Sequence, residues 1–423
     1  MKFQYSSRRL LVFCVLSLVV VAGLYAKTRD RGPSLADIEA GHQLFLHEWT
    51  VNDPLCGEGD GLGPVFNETS CVACHSLGGT GGAGGNESNV LTFEVDPDRN
   101  RTEVVSHVVH ASAVSNDLQE TRQTVKSLFP VIPEGVRVVA GCSVNLASHN
   151  PVTFEEINSP ALFGVGILDE VSDLSVILHN AKRMKERVSD QFRGDYKHNG
   201  AGFARSHTLG GIGKFGWKGQ FVSVEDFVAA ACAMELGLTN PKNSQPIPLE
   251  HNEDTEAKLD MSQEQLDQLV AFVKSLPPPE QILPEDTDAR HRAVEGEALF
   301  NKIRCNDCHV KDLGAAKGIF TDFQLYSLER NFGSSYVKEE IQFARPGTVP
   351  LPEQWKTPPL WGVADSAPYF HDGKSASLEE AIERHFGQAE HSRKLYKQLS
   401  KDKKKMVVEF LQTLRAPRIA ASL

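Results

Sequence analysis

The sequence predicts a mainly α-helical fold of two related units, the first carrying a long irregular insertion. Three observations predict it. A five-residue motif, Cys-x-x-Cys-His, occurs at Cys71–His75 and again at Cys305–His309. A Gly-x-x-Leu-Phe string precedes each motif, at Gly41–Phe45 and Gly296–Phe300. An amphipathic segment with apolar residues at helical spacing follows each, Leu269–Leu276 and Val407–Leu414.

Taken in chain order, the N-terminus comes first. Arg8 and Arg9 precede an apolar run, Leu10–Ala26, and charge returns at Lys27. That is the layout of a secretory leader. The run lies at the short end of what spans a bilayer, so residues 1–30 read either as a cleaved signal peptide or as a membrane anchor. Either way the chain is expected to be exported, to the periplasm in a bacterium. Cys14 lies mid-run behind Phe13, which is not how a lipoprotein cysteine is presented.

The repeated motif has a physical reason for its spacing. Residues three apart on a helical turn face the same way, so two thiols reach one edge of a porphyrin, and the following imidazole is placed to bind its iron. Cys71, Cys74 and His75, and likewise Cys305, Cys308 and His309, are therefore expected to hold two covalently attached haem c groups. A thioredoxin-like pair would need a βαβ setting, and a structural zinc site would need two closely spaced pairs; neither pattern surrounds these motifs.

The repeat extends beyond the motifs. Val65-Phe66-Asn67 and Leu299-Phe300-Asn301 stand at matching distances before the cysteines, and the first unit has a loop inserted between its opening helix and its motif. In cytochrome c units a closing helix packs across the opening one, so two cytochrome c-like domains are expected, at 36–279 and 290–415. Pro277-Pro278-Pro279 through Asp288 is rich in proline and acid, and 280–289 reads as the linker. Gly78–Gly85 lacks the Lys-Ser/Thr of a phosphate loop; it reads as a flexible loop or as backbone approaching a haem edge.

Charge narrows the function classes. With 44 Lys and Arg against 55 Asp and Glu, the net charge is −11, and no basic stripe exists to neutralise nucleic-acid phosphates. The short Lys401–Lys405 run reads as a solvated helix face or a docking patch for an acidic redox partner. Outside the motifs, Cys56 and Cys142 are available for pairing in an oxidising compartment, and Cys232 sits in an apolar helical run.

Several longer strings then resemble the bacterial di-haem oxidoreductase family: Gly61–His75, Ser159–Gly164, Phe215–Lys218, Thr357–Gly362, and Ala367–Gly373 followed by Leu378–Ile382. The resemblance covers about 38–415 and extends to di-haem cytochrome c peroxidases and methylamine-utilisation enzymes. It implies that His385, on one helical face with Leu378 and Ile382, is the distal ligand of the second haem, where the peroxidases typically carry Met. A second His lowers the potential relative to His/Met ligation. It implies too that Trp217 lies between the haems and that Glu235 helps to break the O–O bond of peroxide. A core Trp and a solvated helix Glu are the alternatives.

The chain also departs from these relatives. Phe227 replaces a Gln that many peroxidases carry between that Trp and Glu, and Tyr326-Ser327-Leu328 stands where a His-Asp-Met string is frequent. Related peroxidases hold a calcium ion between the domains, but no loop here has regular carboxylate spacing that would demand one. His107, His110, His149 and His207 are the candidate histidines for approaching the first haem, with no choice among them.

The expected function is a di-haem oxidoreductase of peroxidase type. The first haem reacts with hydrogen peroxide or another oxidant; the second, held by His309 and His385, relays electrons from a redox protein. The alternative is a di-haem electron carrier without a substrate site.

Overall fold

The computed structural model describes residues 32–95, 105–116, 136–139, 142–145, 152–192, 199–207, 210–246, 258–328 and 354–418. The protein is largely helical. In chain order the helices are α1 (Leu35–Leu46), α2 (Cys71–Cys74), α3 (Val165–Asp169), α4 (Asp173–Phe192), α5 (Val224–Leu236), α6 (Gln263–Ser275), α7 (Thr287–Lys302), α8 (Leu378–Glu383), α9 (Glu390–Gln398) and α10 (Lys401–Leu411).

Side-chain caps set where the main helices begin. Ser34 and Asp37 form a capping box at α1, and Ser262 and Gln265 form another at α6. Asp286 caps α7 by accepting from the Ala289 amide, and Ser400 caps α10.

The same helix crossing is built twice. α1 packs on α6 so closely that a β-carbon on Gly41 would stand 1.9 Å from the Gln268 carbonyl oxygen. α7 packs on α10 in the same way, with Gly296 set 1.9 Å by that measure from the Met406 carbonyl oxygen. Glycine at each crossing lets backbone meet backbone. Beside each glycine a phenylalanine pair fills the seam: Phe45 on Phe272 at 5.2 Å, and Phe300 on Phe410 at 5.4 Å between centroids. Around these pairs Leu44, Leu266 and Leu269 are buried in one core, and Val408, Leu411 and Leu414 in another.

Between the first motif and α6 the chain is more regular than its sequence suggested. Val90–Val95 is the central strand of a three-stranded antiparallel sheet, flanked by Val105–Val109 and Val152–Ile157. The β-branched residues concentrated in these segments suit a pleated surface. The expected linker is also tethered: Glu280–Gln281 pairs antiparallel with Leu414–Arg415 at the end of α10.

Among the described residues no helix is long and apolar enough to cross a membrane. The Leu10–Ala26 run and His149 lie outside the described residues. Cys56 is a buried free thiol, and Cys232 is buried on α5.

Candidate functional site

Each motif opens onto a cavity. The first, about 290 Å³, is lined by Cys71, Cys74 and His75 together with Phe45, Phe227, Cys232 and Glu235. The second, about 250 Å³, is lined by Cys305, Cys308, His309 and His385, with Phe300, Leu360, Phe370 and Ile382. All seven residues expected to hold haem therefore face one of two mainly apolar cavities. Burial pushes the thiols of Cys71, Cys74 and Cys305 up to about 12.

Three imidazoles are held in one tautomer. His75 Nδ1 is 3.2 Å from the Gly82 carbonyl oxygen, His309 Nδ1 3.1 Å from that of Phe320, and His385 Nδ1 2.8 Å from that of Ala381. A carbonyl only accepts, so each Nδ1 carries the proton and each Nε2 keeps its lone pair for a metal. Burial pushes His75 down to about 4 and His309 down to about 3, and it lowers His385 as well. All three rings are neutral donors at physiological pH.

The second cavity fits a haem iron held from both sides. Metal–imidazole bonds are about 2.0–2.1 Å and the ring centre lies about 1.1 Å beyond the nitrogen, so one ion between two imidazoles sets their centroids about 6.3 Å apart. The His309 and His385 centroids are 6.3 Å apart. α8 delivers His385 from just past its end at Glu383, a turn before Gly387, whose φ of 53° would stop a helix. Beyond it Phe386 is extended, while Arg384 reaches back to grip Asp372 through two hydrogen bonds of 2.9 and 2.7 Å.

The first cavity has a different opposite wall. Its lining includes one histidine, His75, among the described residues. His110 Nε2 is occupied by the Met234 carbonyl oxygen at 2.7 Å and His207 Nε2 by that of Gly219 at 3.0 Å, while the backbone of His107 sits in the sheet opposite Phe93. What the cavity does have is Glu235, near the end of α5. Burial raises its carboxyl above the ordinary glutamate range, and a hydrogen bond of 2.5 Å from Asn67 Nδ2 to Oε2 pulls the other way. Glu235 is thus set in a cavity wall rather than solvated. Phe227 packs with Phe215 and Phe221 beside it.

One wall separates and serves both cavities. Asn158, Ser159, Pro160, Trp217 and Trp355 line each of them. Trp217 Nε1 donates to the Asn158 carbonyl oxygen at 2.7 Å, and the Lys356 amide donates to the Trp217 carbonyl oxygen at 2.7 Å. Trp355 stacks on His371 at 3.5 Å between centroids and 8° between planes, with Lys218 Nζ 4.1 Å from its ring centre.

Sequence reasoning missed Trp355, His371 and Asn67 as parts of the site. A signal was available for the wall: Ser159-Pro-Ala-Leu-Phe-Gly164 and Thr357-Pro-Pro-Leu-Trp-Gly362 are themselves a repeat. Their glycines have φ of 69° and 76°, and the strings meet where a β-carbon on Gly164 would stand 2.7 Å from the Trp361 ring. Tyr326, whose hydroxyl donates to buried Asp322 at 2.7 Å, also went unassigned. For the calcium expectation, no group of three or more His, Cys, Asp or Glu placed to hold a metal ion occurs among the described residues.

Two motif-bearing cavities back to back define a protein of the di-haem class. The chain matches the family described as "Di-haem oxidoreductase, putative peroxidase" over residues 143–414 and belongs to that family. Membership implies haem cofactors and an oxidoreductase of peroxidase type. No curated protein matches it.

Among solved structures it is similar to Kuenenia stuttgartiensis hydrazine synthase, with 16% identity and a TM-score of 0.29, over 46% of this chain and 62% of that one. That alignment spans less than two thirds of the synthase chain. A MauG-like protein associated with microbial copper homeostasis shows 18% identity and a TM-score of 0.29, over 50% of this chain and 76% of that one. The diheme peroxidase BthA from Burkholderia thailandensis E264 shows 14% identity and a TM-score of 0.37, over 90% and 86% of the two chains.

Proposed function

We propose that this chain is an exported di-haem peroxidase with two cytochrome c-like domains, 36–279 and 290–415, joined through 280–289. Cys71, Cys74 and His75 would hold one covalent haem c, and Cys305, Cys308 and His309 the other, with His385 as the sixth ligand of the second. The supporting observation is the asymmetry of the cavities: paired imidazoles 6.3 Å apart in the second, one imidazole and a buried carboxyl in the first. Peroxide reacts in the first cavity, and electrons reach it from a redox protein by way of the second.

A bound haem supplies the one-electron redox changes that reduction of peroxide to water requires. The chain supplies the rest. Asn67 occupies Glu235 Oε2, which leaves Oε1 to take a proton from one peroxide oxygen and return it to the other as the O–O bond breaks. Apolar lining from Phe45, Phe227 and Val228 excludes bulk water from that exchange. Trp217 and Trp355 fill the wall with aromatic surface that shortens the electron's path between cavities. The apolar run Leu10–Ala26 supports export.

Electron paramagnetic resonance and optical spectra of the holoprotein test the reading. One low-spin ferric haem is expected alongside one high-spin haem that responds to hydrogen peroxide, and His385→Ala should turn the low-spin signal high-spin. Two low-spin haems inert to peroxide in every redox state would leave only an electron carrier.

A further inference from the structure

Lys356 is buried, with 6% of its surface exposed, and it is one of the residues that line the second cavity. Among the described residues it makes no salt bridge and its Nζ no hydrogen bond, and the Phe323 ring lies 5.8 Å from Nζ. The nearest acid to influence it, Asp322, is taken up by the Tyr326 hydroxyl and the Gln324 amide. A buried ammonium without an anion is among the most unfavourable arrangements a protein can hold, and none of the described residues supplies the counter-ion it calls for.

We infer that Lys356 is the counter-ion for a carboxylate of the haem in the second cavity and thereby holds up the potential of that haem. The inference rests on the proposed binding of haem there. A haem enters with two carboxylates and an otherwise apolar face, which matches a cavity of apolar walls with one unpaired cation. Among the described residues nothing else lining that cavity does this: Arg393 is engaged by Glu390, Arg384 lies outside on Asp372, and His309 and His385 offer neutral nitrogens.

The placement is also built in rather than incidental. Trp355-Lys356 mirrors Trp217-Lys218, each Trp lining both cavities and each Lys one. The Lys356 amide is fixed to the Trp217 carbonyl, so the lysine's backbone is anchored in the shared wall. Desolvation lowers its pKa to about 8, which an adjacent carboxylate would raise again.

A cation beside a haem favours the reduced state, which carries one positive charge fewer, so its loss must lower the potential. The test is a spectroelectrochemical titration of the holoprotein with Lys356→Gln, Lys356→Arg and, as an exposed control, Lys374→Gln. One of the two couples should move to lower potential in Lys356→Gln only, with Lys356→Arg and the control staying at the wild-type values. Unchanged potentials in Lys356→Gln overturn the inference.

If neither Lys356 variant loads haem, the wild type still decides. In a reduced-minus-oxidised infrared difference spectrum with carbon-13 in the haem carboxylates, a stretch displaced from the free-carboxylate position is expected. Carboxylates that all absorb as freely hydrated groups overturn it. These outcomes do not depend on peroxide turnover, so a chain inert to peroxide fails the peroxidase reading alone. A purified chain with no haem at the second motif fails the reading of the cavity itself, and the inference falls with it.

Discussion

Glu235 and Asn67 show how far single residues can be read. Glu235 was legible in the sequence only by resemblance, and its partner was not legible at all, because Asn67 and Glu235 are brought together by the fold across 168 positions. In the base role proposed for it Glu235 would act in its ionised form, and burial raises its pKa above the ordinary glutamate value. The rate of reaction with peroxide should therefore rise with pH through a midpoint above that value. Glu235→Gln should remove the pH step and slow the reaction by about 10²–10⁴. Asn67→Ala removes the hydrogen bond that lowers the Glu235 pKa, so stopped-flow traces should show the midpoint of the pH step displaced upward. An unmoved midpoint would separate Asn67 from the proton transfer. The motif residues ask least of the fold: their spacing is local, and each motif lines one of the two cavities.

Among the elements, the duplicated crossing of α1 on α6 and α7 on α10 was legible because its signals are local. Glycine, leucine and phenylalanine recur at fixed offsets, and the closing helices show an apolar stripe in a few turns of sequence. The early end of α8 was not legible, since the Arg384–Asp372 pair that accompanies it joins two loops in space. The sheet centred on Val90–Val95 was missed because its strands are short and widely separated. The crossings make a direct prediction. Gly41→Ala and Gly296→Ala each press a methyl group into a carbonyl of the facing helix, where only movement of a whole helix gives relief. Each should destabilise by about 1–3 kcal/mol or more, read as a lower midpoint in urea unfolding. A midpoint unchanged by either would mean that the helices sit further apart than described.

For the molecule as a whole, the imidazoles govern acid stability. Burial holds His75 at about 4 and His309 at about 3, and lowers His371 and His385 too, against an ordinary 6.5. Below about pH 6.5 the unfolded chain binds protons that the folded chain refuses, so the stability present at neutral pH is lost as pH falls. Asp260 and Asp322 act in the other direction, since burial raises both to about 6 and acid favours them folded. With His179 lowered and Glu235 raised as well, five imidazoles outweigh three carboxyls, and the urea midpoint of the holoprotein should be lower at pH 5 than at pH 7.5. An equal or higher midpoint would show that these rings are not buried. The repeated helix crossing was legible at this scale, but the common wall was not, since Asn158, Trp217 and Trp355 come from three distant stretches of chain. That wall has a price in autonomy. Two copies of an ancestral unit begin as self-sufficient pieces that can be cut apart or exchanged. Here a fragment starting at Glu280 would lack Asn158, Ser159, Pro160 and Trp217, and a fragment ending there would lack Trp355. Each half would carry a cavity open on one flank to water, so neither can be inherited, shuffled or expressed as a working module without the other.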